Sequence, residues 1–211
     1  MAGRPRQFDP DTAVEKYVEL FWTNGFERTS VDDLQTAVGI KRGSFYAAFG
    51  DKNRACTLAL DRYIGTNTAG ILAVLEAAGN PVDGLCAFLR AAGRFMADNA
   101  GRGCLFFSLC SDVEGLPEEV ARFLRQHEHD FFARVERRVR DAGKAGLLPE
   151  GQSSAAATSF VRAVLFGLNG MARVGALERS ILQAAETAAT AVHYWPQMAR
   201  ASSTRRGAAL P

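Results

Sequence analysis

Apolar positions recur at helical spacing along almost the whole chain, and the alternation expected of strands is nearly absent. Val14, Tyr17, Val18 and Phe21 fall at i, i+3, i+4 and i+7, the stripe of a first helix. Asp9-Pro10 suits its start, because aspartate caps orphan amides and proline fits the first helical position; Asn24-Gly25 ends it. Ser30 opens a second helix, with Asp33 where a capping box prefers glutamate or glutamine. Val31, Leu34 and Val38 give that helix one apolar face, and Gly39 stops it. A third, short helix spans about Lys41 to Ala48 and is closed by Gly50-Asp51. The fourth spans Lys52 to about Ala78, bent where Gly65 to Gly70 make a poor helical stretch. Pro81 to about Asn99, Cys104 to Ser111, and Pro117 to Gly143 follow, the last on a stripe of Val120, Phe123, Leu124, Phe131, Val135 and Val139. Two final helices cover Ser153 to Val174 and Leu177 to Trp195. The pattern predicts an all-α protein without internal repeats.

Composition narrows the class. In 211 residues, 47% hydrophobic content is enough for a real core, and 23% charged is ordinary for a globular protein. No apolar run approaches the roughly 20 residues that span a bilayer, and the N-terminus leads into polar residues without a signal core, so a cytoplasmic protein off the membrane is expected. Cys56, Cys86, Cys104 and Cys110 are scattered with no CxxC pair, which suggests neither zinc nor a disulfide framework. The net charge of +2 is uninformative, and the first 62 residues hold nine cations against nine carboxylates. Any case for nucleic acid therefore rests on where the charges sit.

They sit in one place. Two short helices joined by a glycine-bearing turn are a helix-turn-helix candidate, in which the first residues of the second helix meet base edges. Those residues are Lys41, Arg42, Gly43 and Ser44: two cations, a hydroxyl, and a glycine that lets the backbone come close. Tyr46 offers a hydroxyl to phosphate, Phe45 and Phe49 anchor the helix inward, and Lys52 opens the next helix. Upstream, Arg4 and Arg6 flank Pro5 in an extended arm suited to a minor groove, or make a plain basic tail.

The run Thr29-Ser30-Val31-Asp32-Asp33-Leu34, then Ala37 to Tyr46, then Phe49-Gly50-Asp51-Lys52, resembles the TetR family signature over about residues 8–60. Phe45 stands where the family commonly has leucine or isoleucine. The resemblance implies that Lys41, Arg42, Ser44 and Tyr46 line the groove of double-stranded operator DNA and that Ser30 and Lys52 touch phosphates. It implies a DNA-binding domain over residues 1–50 and a larger helical effector-binding and dimerisation domain over 51–200. Residues 201–211 read as a disordered tail. The last two helices would pair with a partner's, on stripes of Phe160, Val164, Leu168 and Met171 and of Ile181, Leu182, Ala185, Ala188, Ala189 and Val192. Ordinary packing within one chain is the other reading of the same stripes.

Gly103-Cys104-Leu105-Phe106-Phe107-Ser108-Leu109-Cys110 is similar to a glycine-cysteine-leucine segment in one branch of these regulators, some of which sense electrophiles through a cysteine. A thiol at a helix start, near Arg102, gains thiolate character, so Cys104 is the first sensing candidate. Cys110, inside an apolar stretch, reads better as a small core residue. Phe106 and Phe107, with Phe88, Phe95, Phe123, Phe131 and Phe132, line an apolar effector pocket or simply fill the core. His127 and His129 diverge by about 200° on a helix and do not make a metal pair. Arg134, Arg137, Arg138 and Arg140 read as a solvated face. No base and orienting group accompany a nucleophile, and no phosphate loop is present, so no enzyme and no cofactor are expected. A regulated repressor differs from a constitutive DNA-binding protein only in whether a small molecule releases the DNA.

Overall fold

A computed structural model describes residues 8–199; Arg4, Arg6 and the expected tail lie outside the described residues. Helices α1 (Pro10–Asn24), α2 (Val31–Val38), α3 (Arg42–Phe49), α4 (Lys52–Tyr63), α5 (Ala69–Ala77) and α6 (Pro81–Asp98) form the first half. Helices α7 (Leu105–Ser111), α8 (Glu118–Lys144), α9 (Ser154–Arg173) and α10 (Glu178–His193) form the second. No strand forms among the described residues. The stretch expected to bend the fourth helix is a π-helical turn, Ile64–Thr68, between α4 and α5. Thr66 and Asn67 turn their side chains back onto the carbonyls of Arg62 and Tyr63 there, the local competition for backbone that weakens an α-helix.

The chain divides into two compact units, each with its own contacts: residues up to Thr68 with Leu105–His127, and Ala69–Cys104 with residues from Glu128 onward. In the first, α1 packs on α4 and α2, and α4 also meets α7. Its centre is aromatic. Tyr17, Phe21, Phe45 and Phe49 are buried, and Tyr17 meets Phe49 edge-on at 5.0 Å and Phe45 at 6.4 Å. Burial pushes the Tyr17 phenol up to about 12, and its hydroxyl has no hydrogen-bond partner.

In the second unit α6 packs most extensively on α10, and also on α5 and α9. The α6–α10 seam works because both sides are small: a Cβ on Gly93 would stand 2.2 Å from that of Ala185. Exposed pairs edge the seam. Arg90 donates Nε and Nη2 to the two carboxylate oxygens of Glu186 at 2.7 and 2.8 Å, a bidentate pair worth under about 1 kcal/mol at this exposure.

Three expectations change here. Arg137 and Arg140 are exposed as a solvated face requires, but Arg134 and Arg138 are not spare charges. Arg134 forks onto Glu76 at 2.8 Å and its hydrogen bonds hold that carboxyl below the usual range; Arg138 donates to the carbonyls of Ala78 and Asn80. Both tie α8 to the end of α5, a contact between residues far apart in sequence. Second, the stripe residues Leu168, Ile181, Ala185, Ala188, Ala189 and Val192 are buried within the chain. α9 exposes Ala155, Ala156, Ser159, Phe160, Ala163, Gly167, Gly170 and Arg173, α10 adds Thr187 and Ala191 among charged and polar residues, and Val174 and Tyr194 are exposed at their C-caps. Third, α9 is 20 residues long and, with a mean hydropathy of 1.2, passes the length and composition test for a membrane span. Its apolarity is two-sided: one face fills the unit's core, the other is small and apolar, and Arg162 between them pairs with Glu128 while lying over the Phe132 ring at 3.9 Å.

Candidate nucleic-acid interface

The helix-turn-helix is built from its caps outward. Ser30 accepts the Asp33 amide at 3.1 Å, and the Asp33 carboxylate accepts the Ser30 amide at 2.8 Å, so aspartate completes the capping box despite its shorter reach. The Ser30 hydroxyl also donates to that carboxylate at 2.7 Å, and these bonds hold the Asp33 carboxyl below its usual range. Leu34, fully buried, is the inward anchor of α2. Gly39 ends the helix at φ 70°, ψ 32°, left-handed backbone that glycine adopts without strain, and donates to Gln35 and Thr36 carbonyls. Lys41 then takes the N-cap position of α3 in extended conformation, its side chain not used as a cap.

α3 has two unlike sides. Phe45 and Phe49 are buried against Tyr17, while Lys41, Arg42, Gly43 and Ser44 are all exposed and Tyr46 is 40% exposed. The Arg42 guanidinium lies 5.7 Å from the Tyr46 ring centroid, so the two side chains share one patch. At the start of α4, Asp51 caps the Arg54 amide at 2.8 Å, and the Lys52 ammonium lies 4.1 Å from the Phe26 ring centroid. Arg42 and Tyr46 thus share one side of α3, while Lys41 and Ser44 are exposed at its N-terminal end; Ser30 and Lys52 begin the flanking helices.

Two ties that orient this motif were not read from the sequence. Lys16 on α1 donates to the Ala37 carbonyl at 2.9 Å, satisfying the end of α2 from 21 positions away. Arg62 on α4 donates to Asp11 at 2.7 Å and Glu15 at 3.0 Å, clamping α4 to α1. Neither has a local signature, since the partners meet only after folding.

The sensing candidates differ in burial. Cys104 is 5% exposed, and its amide donates to Oδ1 of the buried Asn169 at 2.7 Å. Gly103 permits this close approach, because a Cβ there would stand 2.5 Å from the same oxygen. Cys110 is half-buried, so the exposures of these two thiols are the reverse of the sequence expectation: the helix begins at Leu105, and Cys104 is turned inward ahead of it. Phe106 and Phe107 are core residues of the first unit, 5.3 Å apart, while Cys104 belongs to the second. Burial pushes the Cys56 thiol up to about 12 and raises that of Cys86, whose Sγ donates to the Ala189 carbonyl at 3.2 Å. Burial disfavours the thiolate in both.

Known proteins match along most of the chain. The family described as "Bacterial regulatory proteins, tetR family" matches residues 15–54, and "Tetracyclin repressor-like, C-terminal domain" matches residues 81–190. The HTH-type transcriptional repressor ComR of Escherichia coli is 28% identical over 94% of each chain. BdcR, an HTH-type transcriptional repressor of the same organism, is 29% identical over 90% of each. Among solved structures, a cysteine-substituted TetR family transcriptional regulator CifR, complexed with a 26-base-pair double-strand operator DNA, superimposes with a TM-score of 0.78. It is 31% identical, covering 92% of this chain and all of that one. The exposed cationic face of α3, the caps that hold it, and these matches lead to one conclusion: the chain belongs to the TetR family and is a DNA-binding transcriptional repressor of that type, not an enzyme.

Proposed function

We propose that this repressor works in the cytoplasm as a homodimer, presents the α3 of each copy to successive major-groove faces of a near-palindromic operator, and lets go when a small-molecule effector is bound. The observation that carries the reading is the α3 patch: Lys41, Arg42, Ser44 and Tyr46 exposed together over a buried aromatic floor. Arg42 and Ser44 reach base edges, Gly43 admits the backbone, and Lys41, Tyr46, Ser30 and Lys52 hold phosphates. The Lys52 ammonium leaves the Phe26 ring to do so. Arg4 and Arg6 enter the minor groove. Fluorescence anisotropy on a labelled operator tests this. Arg42→Ala costs about 1–3 kcal/mol on the cognate site, whereas Lys52→Ala weakens all sequences alike and lowers the salt slope by about one. Unchanged binding in both variants would show that another surface meets the DNA.

Dimerisation is assigned to the exposed α9–α10 face of small and apolar residues, which allows helix backbones to approach closely. A second reading of release is covalent. It is supported by the likeness to CifR, whose cysteines were the residues substituted, and places an electrophile on Cys104. At 5% exposure that thiol reacts only after local opening. Cys104→Ser then keeps operator binding and loses release by quinones or aldehydes; release as in the wild type refutes the covalent route.

A further inference from the structure

The first unit holds a groove that the DNA-binding role leaves unused. It is open to solvent and offers about 480 Å³, within the range of small-ligand sites. Thr57, Leu58 and Asp61 line it from one face of α4. Glu119, Arg122, Phe123, Gln126 and His127 line it from α8 at i, i+3, i+4, i+7 and i+8. Such a stripe ordinarily carries apolar residues packed on the facing helix; here it carries charge and faces open space.

Its chemistry selects an occupant. The Phe123 and His127 rings stack 4.0 Å apart at an interplanar angle of 26°, and the imidazole is fixed in place by Nδ1 on the Phe123 carbonyl at 2.8 Å. That pair is an aromatic platform on which a flat ring can lie. Of the three charges on its lining, Arg122 has a carboxylate of its own beside it, Glu118 at 3.7 Å, and is outnumbered by the two acids. Asp61 and Glu119, one on each wall, are left to set the sign. We infer that this groove is a binding site for a flat aromatic monocation, its ring on the Phe123–His127 platform and its ammonium or amidinium between the Asp61 and Glu119 carboxylates.

The inference rests on the repressor reading for its consequence. Asp61 is the neighbour of Arg62, which clamps α4 to Asp11 and Glu15 of α1. A cation drawn between the two walls competes with that clamp for α4, the helix whose first residue is Lys52. Binding and DNA release are therefore measured separately. In the first experiment naphthylmethylammonium is titrated into DNA-free protein and followed by its own fluorescence anisotropy, with neutral naphthylmethanol and anionic naphthoate as controls. The ammonium binds several-fold more tightly than the alcohol, and naphthoate more weakly still. Asp61→Asn, and Glu119→Gln independently, lower ammonium affinity by roughly threefold to tenfold and leave the alcohol unchanged, the effect of one partly exposed charge contact. Both residues are exposed, so the variants fold. Equal binding of cation and alcohol, or an ammonium affinity unmoved by both variants, overturns the site whatever the operator result. In the second experiment the ammonium weakens operator binding by the wild type, and Asp61→Asn blunts that effect. Tight, Asp61-dependent binding that leaves operator affinity unchanged overturns the coupling. Absence of operator binding without the probe would instead count against the α3 reading, since the first experiment uses no DNA.

Discussion

α3 and α9 bury similar apolar stripes but show the solvent opposite characters. Beyond Phe45 and Phe49, α3 with its N-cap exposes two cations, a hydroxyl and a phenol; beyond Val161, Leu165 and Leu168, α9 exposes chiefly alanine, glycine and phenylalanine, with Ser159 and Arg173 toward its ends. An exposed face reports the partner it is shaped for. Cations that stay solvated until phosphate arrives suit a polyanion, whereas a small apolar face gains free energy only by leaving water against another such face. The inner sides teach something different. The α3 floor is large and aromatic with a hydroxyl left unbonded, while the α6–α10 seam is small and tight.

The contrast breaks most completely at Gly167, where a Cβ meets nothing within 4 Å, so Gly167→Glu leaves the fold intact. Sedimentation then reports monomer. Operator affinity falls by about 10²–10⁴, the avidity lost when two linked half-site contacts become one. A dimer that persists would move the interface away from this face. Gly93→Ala tests the tight seam: with no room beside Ala185, the added methyl costs about 1–3 kcal/mol and lowers the melting temperature, without touching the DNA face. Smallest is Tyr17→Phe, which removes the orphaned hydroxyl under α3 and stabilises the protein by about 1 kcal/mol at unchanged operator affinity. A loss of stability in that variant would mean that the hydroxyl is bonded.

The difference also explains what could be read in advance. Helix bounds and caps follow from local chemistry: Asp9-Pro10, Ser30 with Asp33, and Gly39 each act within a few residues, and the helices begin and end beside them. The face of α3 was legible because its polar and aromatic residues alternate around the helix. α9 is apolar or small on both sides, so periodicity alone left the stripes of Leu168, Ile181 and Val192 open between a partner's helices and this chain's own core, and their burial places them in the core. Arg62, Lys16 and Arg138 meet partners that only the fold brings close. The reversal at Cys104 and Cys110 has the same origin, since an acceptor on α9 draws the Cys104 backbone inward.

That acceptor sets a rule for how the family's sequences can drift. Asn169 is a polar residue on the buried stripe of α9, and its side-chain oxygen takes the Cys104 amide while filling the space beside Gly103. Leucine at 169 would strand a buried amide, and alanine at 103 would collide with the asparagine. Substitutions at 103 and 169 should therefore appear together or not at all among relatives. The Cys104 amide, in turn, should exchange its hydrogen with solvent only when the loop lets go of α9.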